Sequence, residues 1–554
     1  MAANPIPNVV LKPASPKPPK SKVGLRVWME RVLEECDRAD DGFDADAVHD
    51  LRVSLRRCRS LADGLIPLDP DPSWKQMKKA GKKVFQGLGN LRDMQVMEEW
   101  IGKLSRTNPV IDPVATKLLG HLASRETECK QLARKDLDQF NRKQWRQWSK
   151  TLPQRSSRVQ PGSLVYLHLA LEKWSAAYEL HKRVLRTRST VGWHELRIGI
   201  KHLRYTVENF LPQQHAEWGD DLKELQDLLG EVHDLDVLWA TAVDTNVSAF
   251  ADIDSRNRWR EKLTLERTKR ISRYREKMVG KQSLWREWRS QLPQGVQLRA
   301  AALSRLKTWA GYVDPDFAHS QRTSQLAFVL FDRLKELDLI GESALPLPSQ
   351  TLLSSPRSAR AGAAENSGFE ARSVLQAAAY MHDVGKSKGA KNRQKKSYRM
   401  IQRLDRPLGI EPREWELAAA IVRYHRGSLP RSRGKAMQRV ELGDRPTAIL
   451  LAGILRLAVA LAPRKSRALH HPIARATTAA GKVAVLHPQG DEAPKLDVTV
   501  QNDLIVLRVA GYSALDSSAL EVAAARHLLE TALKRAILVR PLRTVSNKPS
   551  TRSL

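Results

Sequence analysis

The stretches VHDLRVSLRRCR at residues 48–59 and WHELRIGIKHLR at residues 193–204 decide the fold, because they are two versions of one helical pattern. A second pair of stretches, LGNLRDMQV at 88–96 and LGEVHDLDV at 229–237, follows at nearly the same separation along the chain. Two motifs that repeat in the same order indicate a duplicated unit. The sequence therefore predicts two related helical bundles side by side.

The composition indicates a folded protein with an anionic partner. The chain has 554 residues and carries 93 Lys and Arg against 61 Asp and Glu, a net charge of +32. Its length predicts three or four structural units, and its 42% hydrophobic content excludes a wholly disordered chain. A charge of this size favours nucleic acid, an anionic membrane or inorganic phosphate chains as the partner.

The cysteines and the apolar runs exclude several other classes of protein. The three cysteines form no CxxC motif, so a disulfide framework and a cysteine-based zinc site are not expected, and a reducing cytoplasm fits. The N-terminus is rich in Pro and Lys and lacks an apolar core, unlike a signal peptide. The most apolar run, 448–462, is too short to cross a bilayer and predicts a buried helix. No membrane partner is expected.

Apolar residues at three- and four-residue steps predict helices throughout the first 300 residues. Alternating patterns that predict strands are scarce before 482–509, where KVAVLHP and KLDVTVQNDLIVLRV occur with QND as the expected turn. We therefore predict a mainly α protein, with two repeated bundles, an all-α domain and a small α+β segment. The predicted divisions are a disordered arm at 1–21, the repeated unit at 22–295, a helical domain at 300–480 with a flexible insertion at 341–372, an α+β segment at 481–540 and a basic tail at 541–554.

Each repeat places basic side chains along one helical face. His49, Arg52, Arg56 and Arg59 in the first copy match His194, Arg197, Lys201 and Arg204 in the second, at steps that align all four side chains of a copy. Lys82 and Lys223 lie at matching positions before the two LG pairs and extend each row. One such row is typical of a solvated helix surface. The same row in a second, diverged copy favours a binding surface.

These four motifs together resemble the CHAD domain (conserved histidine α-helical domain). The resemblance covers about residues 22–295 and implies two four-helix bundles around a basic channel that binds inorganic polyphosphate. His233 stands where the first copy has Arg92, so that corner of the channel is expected to be less cationic. The resemblance implies phosphate contacts for His49, Arg52, Arg56, Arg57, Arg59, Arg92, His194, Arg197, Lys201, His202, Arg204 and Tyr205.

The C-terminal half carries a His-Asp doublet in LQAAAYMHDVGK, residues 375–386. Together with AHSQRTSQLAFVLFDRL (318–334), IVRYHRGSLP (421–430) and LLAGILRLAVAL (450–461), it resembles the HD-type helical domain of the exopolyphosphatase/guanosine pentaphosphate phosphohydrolase family. The resemblance runs from about residue 300 to 540. It implies that His319, His382 and Asp383 match three ligands of a divalent metal that activates water in HD hydrolases.

The fourth ligand position departs from the HD pattern. Where the resemblance implies an aspartate, this chain has Val459, which cannot coordinate a metal. The Gly-rich phosphate loops of the family's N-terminal catalytic domain are also absent from the sequence. We therefore expect a degenerate metal site, no required cofactor and no hydrolysis, with His382 and Asp383 stabilising helix packing.

Basic residues after the doublet predict a second anion-binding surface, formed by Lys395, Lys396, Arg423, His425 and Arg426. The alternative is a solvated loop. We expect a cytoplasmic polyphosphate-binding protein associated with polyphosphate granules. The alternatives are a metal-dependent phosphohydrolase acting on polyphosphate or guanosine polyphosphates and a nonspecific nucleic-acid binder.

Overall fold

The computed structural model describes residues 24–40, 43–105, 112–244, 248–340, 370–462, 496–515 and 518–542. Within these residues the protein is mainly α with a small three-stranded sheet near its C-terminal end, which confirms the predicted fold class. Several predicted segments lie outside the described residues: the arm at 1–21, nearly all of the insertion at 341–372, the strand at 482–488 and most of the tail at 541–554.

The chain divides into two compact units. The first comprises the described residues within 1–66, 71–166 and 173–289, and the second comprises the rest. The helices assigned mainly to the first unit are α1 (Leu25–Ala39), α2 (Ala45–Leu65), α3 (Pro72–Ser105), α4 (Pro113–Asp138), α5 (Arg142–Ser156), α6 (Leu164–Thr187), α7 (Thr190–Phe210), α8 (Pro212–Val243), α9 (Ile253–Met278) and α10 (Leu284–Ser290).

The repeat motifs lie on equivalent helices of the first unit. The His-Arg rows occupy α2 and α7, and the LG motifs occupy α3 and α8. Asp44 caps α2 by accepting hydrogen bonds from the backbone N–H groups of Asp46 and Ala47, both at 2.9 Å. Ser189 caps α7 by accepting from the N–H of Gly192 at 3.0 Å. Both basic rows therefore begin one turn after a side-chain N-cap that satisfies otherwise unpaired N–H groups.

Tryptophan side chains fill much of the core. Of the 14 tryptophans, all but Trp28 and Trp239 are buried. In the second bundle, Trp285 packs edge-on against Trp174 and Trp288, with ring centroids 5.9 and 5.6 Å apart. Burial of these rings assigns the tryptophans to the core and not to a base-stacking surface.

The second unit contains helices and the sheet. The helices are α11 (Gly295–Val313), α12 (Phe317–Glu336), α13 (Ala371–Met381), α14 (Arg393–Ile401), α15 (Pro412–Tyr424), α16 (Lys435–Gln438), α17 (Arg445–Leu461) and α18 (Ser518–Leu533), with 3-10 turns at Val384–Lys388 and Leu442–Asp444. The strands are β1 (Leu496–Gln501), β2 (Leu504–Val509) and β3 (Ile537–Pro541).

The apolar run at 448–462 forms most of α17, which is buried as predicted and packs against α12, α13, α15 and α18. The predicted hairpin is also present: β1 pairs antiparallel with β2 through Asn502 and Asp503, which have φ of 46° and 64°. Asn and Asp tolerate this left-handed backbone well, and it matches the twist of a two-residue hairpin. No helix among the described residues is long and apolar enough to span a membrane.

Candidate anion-binding site

The basic row on α2 is held in place by an aromatic ring from α3. Arg52 and Arg59 both lie over the Phe85 ring, with guanidinium-to-centroid distances of 4.5 and 4.9 Å. Arg52 also donates a hydrogen bond from Nη1 to the carbonyl oxygen of Phe85 at 3.1 Å. These contacts use only part of each guanidinium group, which has five N–H donors. The remaining donors can bind an anion.

The row on α7 has fewer contacts of this kind. His194 pairs with His233 of α8, with their Nδ1 atoms 3.2 Å apart. The Nε of Arg197 is buried and has no hydrogen-bond partner in the described structure. An unsatisfied buried N–H costs free energy, so this group favours the arrival of an acceptor such as a phosphate oxygen.

Both repeats contribute to one cavity of about 370 Å³. It brings together four predicted contacts from the first repeat, His49, Arg52, Arg56 and Arg92, with Arg197 from the second. Clustering of like charges is unfavourable unless an anion compensates them. The rest of the lining is Val53, Gln226, Asp227, Gly230, Glu231 and Asp234.

Burial and crowding of charge alter the acidity of groups at this cavity. The pKa of Lys201 is lowered to about 8. Burial is the largest cause, and repulsion by the charges of Arg197, Arg56, Arg52 and Arg59 adds to it. Burial likewise lowers the pKa of Arg52 to about 10. On the acidic side, burial raises the pKa of Asp234 to about 6. These pKa shifts show that Lys201 belongs electrostatically to the cluster formed by Arg52 and Arg197, although it does not line the cavity.

Three predicted contacts gather instead around a carboxylate. Arg57 forms an ion pair with Glu208 at 2.7 Å and lies over the Trp28 ring. Arg204 and Tyr205 are in the same electrostatic neighbourhood, and Tyr205 is buried. Because Glu208 already neutralises Arg57, this group is less available to an anion than the cavity residues are.

The other predicted contacts do not line the cavity. His194 is turned toward His233, and Arg59 packs on Phe85. His202 is exposed beside Lys173 and Asp63, while Lys82 and Lys223 are exposed without a close ionic partner in the described structure. The assignment of these residues to phosphate contacts stays a prediction.

Sequence reasoning did not assign a role to the glycines of the LG motifs. A Cβ at Gly89 would lie 3.2 Å from Nη1 of Arg52, and one at Gly230 would lie 4.0 Å from Nε of Arg197. The glycines are equivalent in the repeat, as are the arginines. Thus Gly89 gives Arg52 room to pack across α3, whereas a Cβ at Gly230 would make only ordinary contact with Arg197. The repetition of the LG pair was the sequence signal that could have pointed to these glycines.

In the second unit, the His-Asp doublet lies in a fully buried cluster. His382, Asp383 and His425 each have 0% exposure. Both histidines donate from Nδ1 to a backbone carbonyl oxygen at 2.7 Å, and their Nε2 atoms face Asp383 at 3.6 and 3.8 Å. His319 is also buried and close enough for His382 and Asp383 to affect its pKa. The structure thus brings the three predicted metal-site residues together.

Cations occupy the region around Asp383. Lys386 Nζ lies 2.7 Å from Oδ2, and Arg393 Nε lies 3.0 Å from Oδ1. Burial alone would raise the pKa of Asp383, but His382, Arg393 and Lys386 hold it below its usual range. Burial lowers the pKa of His425 to about 3, which keeps its imidazole neutral.

This cluster does not fit a divalent metal. Lys386 and Arg393 face the two oxygens of Asp383 and would repel a metal cation. Within the described ranges, no three His, Cys, Asp or Glu side chains are placed to share a metal ion. The distal position is Val459, a buried aliphatic residue. The arrangement can hold helices together through ion pairs. The expectation of a degenerate metal site stays a prediction.

The predicted second basic surface is present in part. Two adjoining cavities of about 360 and 310 Å³ share Lys395 and Arg399, and their lining includes Lys396 and Arg423. His425, which we predicted on this surface, is buried in the Asp383 cluster instead. His425 directly follows the last residue of α15 and is buried, whereas Arg423 is half-buried. Arg426 does not line either cavity.

Comparison with known proteins gives two family matches. The model of the CHAD domain matches residues 28–243, and the model of Ppx/GppA phosphatase domain III matches residues 299–490. Among solved structures, the CHAD domain from the plant Ricinus communis is similar at 17% sequence identity and a TM-score of 0.32, covering 48% of this chain and 88% of that chain. The search of curated proteins found no match.

Proposed function

Because the chain carries a CHAD domain at residues 28–243 followed by a Ppx/GppA phosphatase domain III at 299–490, we propose that it binds inorganic polyphosphate. The two matches together indicate a polyphosphate-related protein. The observation that carries the more specific proposal is the cavity shared by the repeats, which gathers His49, Arg52, Arg56, Arg92 and Arg197.

The chemistry of the cavity suits a phosphate chain. Guanidinium groups donate paired N–H bonds to phosphate oxygens, and they stay charged at neutral pH. Polyphosphate has no bases, so its site needs closely spaced cations and no aromatic stacking platform. Phe85, an aromatic ring beside the α2 row, lies beneath Arg52 and Arg59. Its surface is therefore used by guanidinium groups and not offered to a base.

The second unit supplies a second polyanion surface. Lys395 and Arg399 are one helical turn apart on α14, and Arg423 and Lys435 complete the cavity that they line. Lys395, Arg399 and Lys435 have no ionic partner in the described part of the chain. Uncompensated cations around a cavity favour an anionic ligand. We assign this surface a supporting role, because it lacks the repeated arrangement of the first unit.

The protein acts in this proposal as a binder and not as an enzyme. Hydrolysis in an HD site depends on a metal ion, and the residues around Asp383 do not fit one. The alternative function is nonspecific binding of nucleic acid, which a basic surface also allows. We place the protein in the cytoplasm at polyphosphate granules, where a chain with two cationic surfaces contacts a dense polyanion.

A competition titration tests the proposal. Long-chain polyphosphate and single-stranded DNA are titrated into the full chain at equal phosphate concentration and at several salt concentrations. We expect polyphosphate to bind more tightly at each salt concentration and both affinities to fall as salt rises. Equal affinity for the two polymers throughout would remove the case for a dedicated polyphosphate site and favour nonspecific electrostatic binding.

A further inference from the structure

The cavity of the first unit has opposite charges on its two sides. Its basic residues come from α2, α3 and α7: His49, Arg52, Arg56, Arg92 and Arg197. Its carboxylates, Asp227, Glu231 and Asp234, all come from α8 and lie at steps of four and three residues, which place them on one helical face. An acidic side costs affinity for any polyanion, so its presence in an anion site needs a reason.

Most of the acidic side belongs to only one of the two repeats. Helices α3 and α8 carry equivalent LG motifs, but the α3 residues equivalent to Asp227 and Glu231 are the neutral Gln86 and Asn90, whereas Asp234 has the carboxylate Asp93 as its equivalent. Along their full lengths, α3 has seven Lys and Arg against three Asp and Glu, whereas α8 has one against eight. The two repeats have therefore diverged to opposite charge on the helices that carry these motifs.

Packing against α9 explains some of the carboxylates of α8 but not all of them. Glu231 pairs with Arg270 at 2.6 Å, and Asp236 pairs with Arg267 at 2.8 Å. Asp221 and Glu224 pair with Lys277 in the same way. By contrast, Asp227 and Asp234 have no ion pair within the described ranges, and both face the cavity. They are not needed to hold α9.

We propose that Asp227 and Asp234 are specificity-determining residues that let the cavity accept a single phosphate chain and repel double-stranded nucleic acid. This inference rests on the proposed function. A single chain can follow the cations of α2 and α7 and keep its charges on that side. A duplex carries two phosphate strands and a charge every ~1.7 Å along its axis, so docking one strand on α2 brings further phosphates toward α8. Like-charge contacts then act selectively against the wrong ligand.

The test compares two double variants of the full chain. In D227N/D234N, the cavity loses both carboxylates with little change of shape. The matched control, E217Q/D220N, removes two exposed carboxylates of the same helix that do not line the cavity. The affinities for long-chain polyphosphate and for a short DNA duplex are measured at one salt concentration. The exposed single variant D227N keeps the test valid if replacement of the half-buried Asp234 disturbs folding.

For D227N/D234N we expect duplex affinity to rise about tenfold and polyphosphate affinity to rise less, because removal of facing like charges favours the ligand that they repelled most. D227N should shift both affinities in the same direction, and the control should leave their ratio unchanged. An unchanged ratio in D227N/D234N, or a loss of polyphosphate affinity, would overturn the inference. These outcomes are distinct from failure of the proposed function, in which the parent protein shows no preference for polyphosphate over DNA.

Discussion

At the scale of single residues, the charge of the cavity depends on how Lys201 titrates. Its pKa is lowered to about 8 because it is buried among Arg197, Arg56, Arg52 and Arg59. In the free protein, this ammonium group therefore loses its proton at lower pH than an ordinary lysine does. A bound phosphate chain would stabilise the charged form and raise the pKa again.

Polyphosphate binding should consequently weaken as pH rises above about 8. Above that pH the free protein must take up a proton at Lys201 to bind, and linkage predicts up to about a tenfold loss of affinity per pH unit. Titrations from pH 7 to 9.5 measure the effect. Lys201→Met should bind more weakly at pH 7 and lose the additional decline above pH 8. A decline of the same size in the variant would show that another group titrates.

The glycines of the LG motifs give a second prediction. Gly89→Ala should lower polyphosphate affinity about two- to fivefold, because its Cβ would lie only 3.2 Å from Arg52 Nη1 and displace that group. Gly230→Ala is the matched control, with 4.0 Å to Arg197 Nε. Both alanines favour helix by up to ~1 kcal/mol. Equal affinities for the two variants would mean that the position of Arg52 does not matter.

At the scale of helices and turns, the Asp383 cluster joins separate parts of the second unit. Asp383 is followed by the 3-10 turn Val384–Lys388, Arg393 begins α14, and His425 follows α15. Gly385 packs so tightly on α14 that its N–H donates to Ser397 Oγ at 2.8 Å. The HDVGK sequence therefore docks α14, the helix that presents Lys395 and Arg399.

Asp383→Ala should destabilise the protein by roughly 3–5 kcal/mol, because it leaves the positive charges of Lys386 and Arg393 without their buried partner. The control is Glu336→Ala, which breaks an exposed pair with Arg333 and should change stability by less than about 1 kcal/mol. Urea denaturation of both variants measures the difference. A neutral effect of Asp383→Ala would show that these ion pairs contribute nothing net.

Because the Asp383 cluster does not fit a divalent metal, we expect added metal ions to change neither the stability nor the activity of the protein. Added Mg²⁺, Mn²⁺ or Zn²⁺ should leave Tm unchanged, and no phosphate should be released from polyphosphate or guanosine polyphosphates. Thermal melts and a phosphate-release assay test both statements. Steady turnover that disappears in His382→Ala would instead support the phosphohydrolase alternative.

The spacing of residues along the sequence predicts helices and strands better than it predicts which side chains contact each other. The repeated rows, the buried helix α17 and the hairpin at Asn502–Asp503 could all be predicted, since each depends on local spacing and turn chemistry. The pairing of Arg57 with Glu208 could not be predicted, because it depends on how α2 packs against α7. The burial of His425 could not be predicted either. Its basic sequence neighbours suggested an exposed side chain, whereas the packing of the end of α15 buries its ring in the core.

At the scale of the whole molecule, a net charge of +32 would draw any polyanion to the protein. Total charge therefore cannot by itself distinguish a dedicated site from general attraction. What distinguishes the two is whether affinity depends on where the cations lie. The cavity of the first unit and its neighbour Lys201 concentrate Arg52, Arg56 and Arg197 from both repeats.

The most direct measurement is the polyphosphate affinity of the full chain with Arg52, Arg56, Arg197 and Lys201 all changed to Gln. Its control changes four exposed cations outside the cavity, Lys143, Lys150, Arg258 and Lys281, to Gln, so that both variants lose the same charge. We predict that the first variant loses at least about a hundredfold in affinity, since each lost phosphate contact removes part of the electrostatic binding energy, while its helical circular dichroism is unchanged. The control should lose only a few-fold. Equal affinities for the two variants would contradict the account, because binding would then follow net charge and not the cavity.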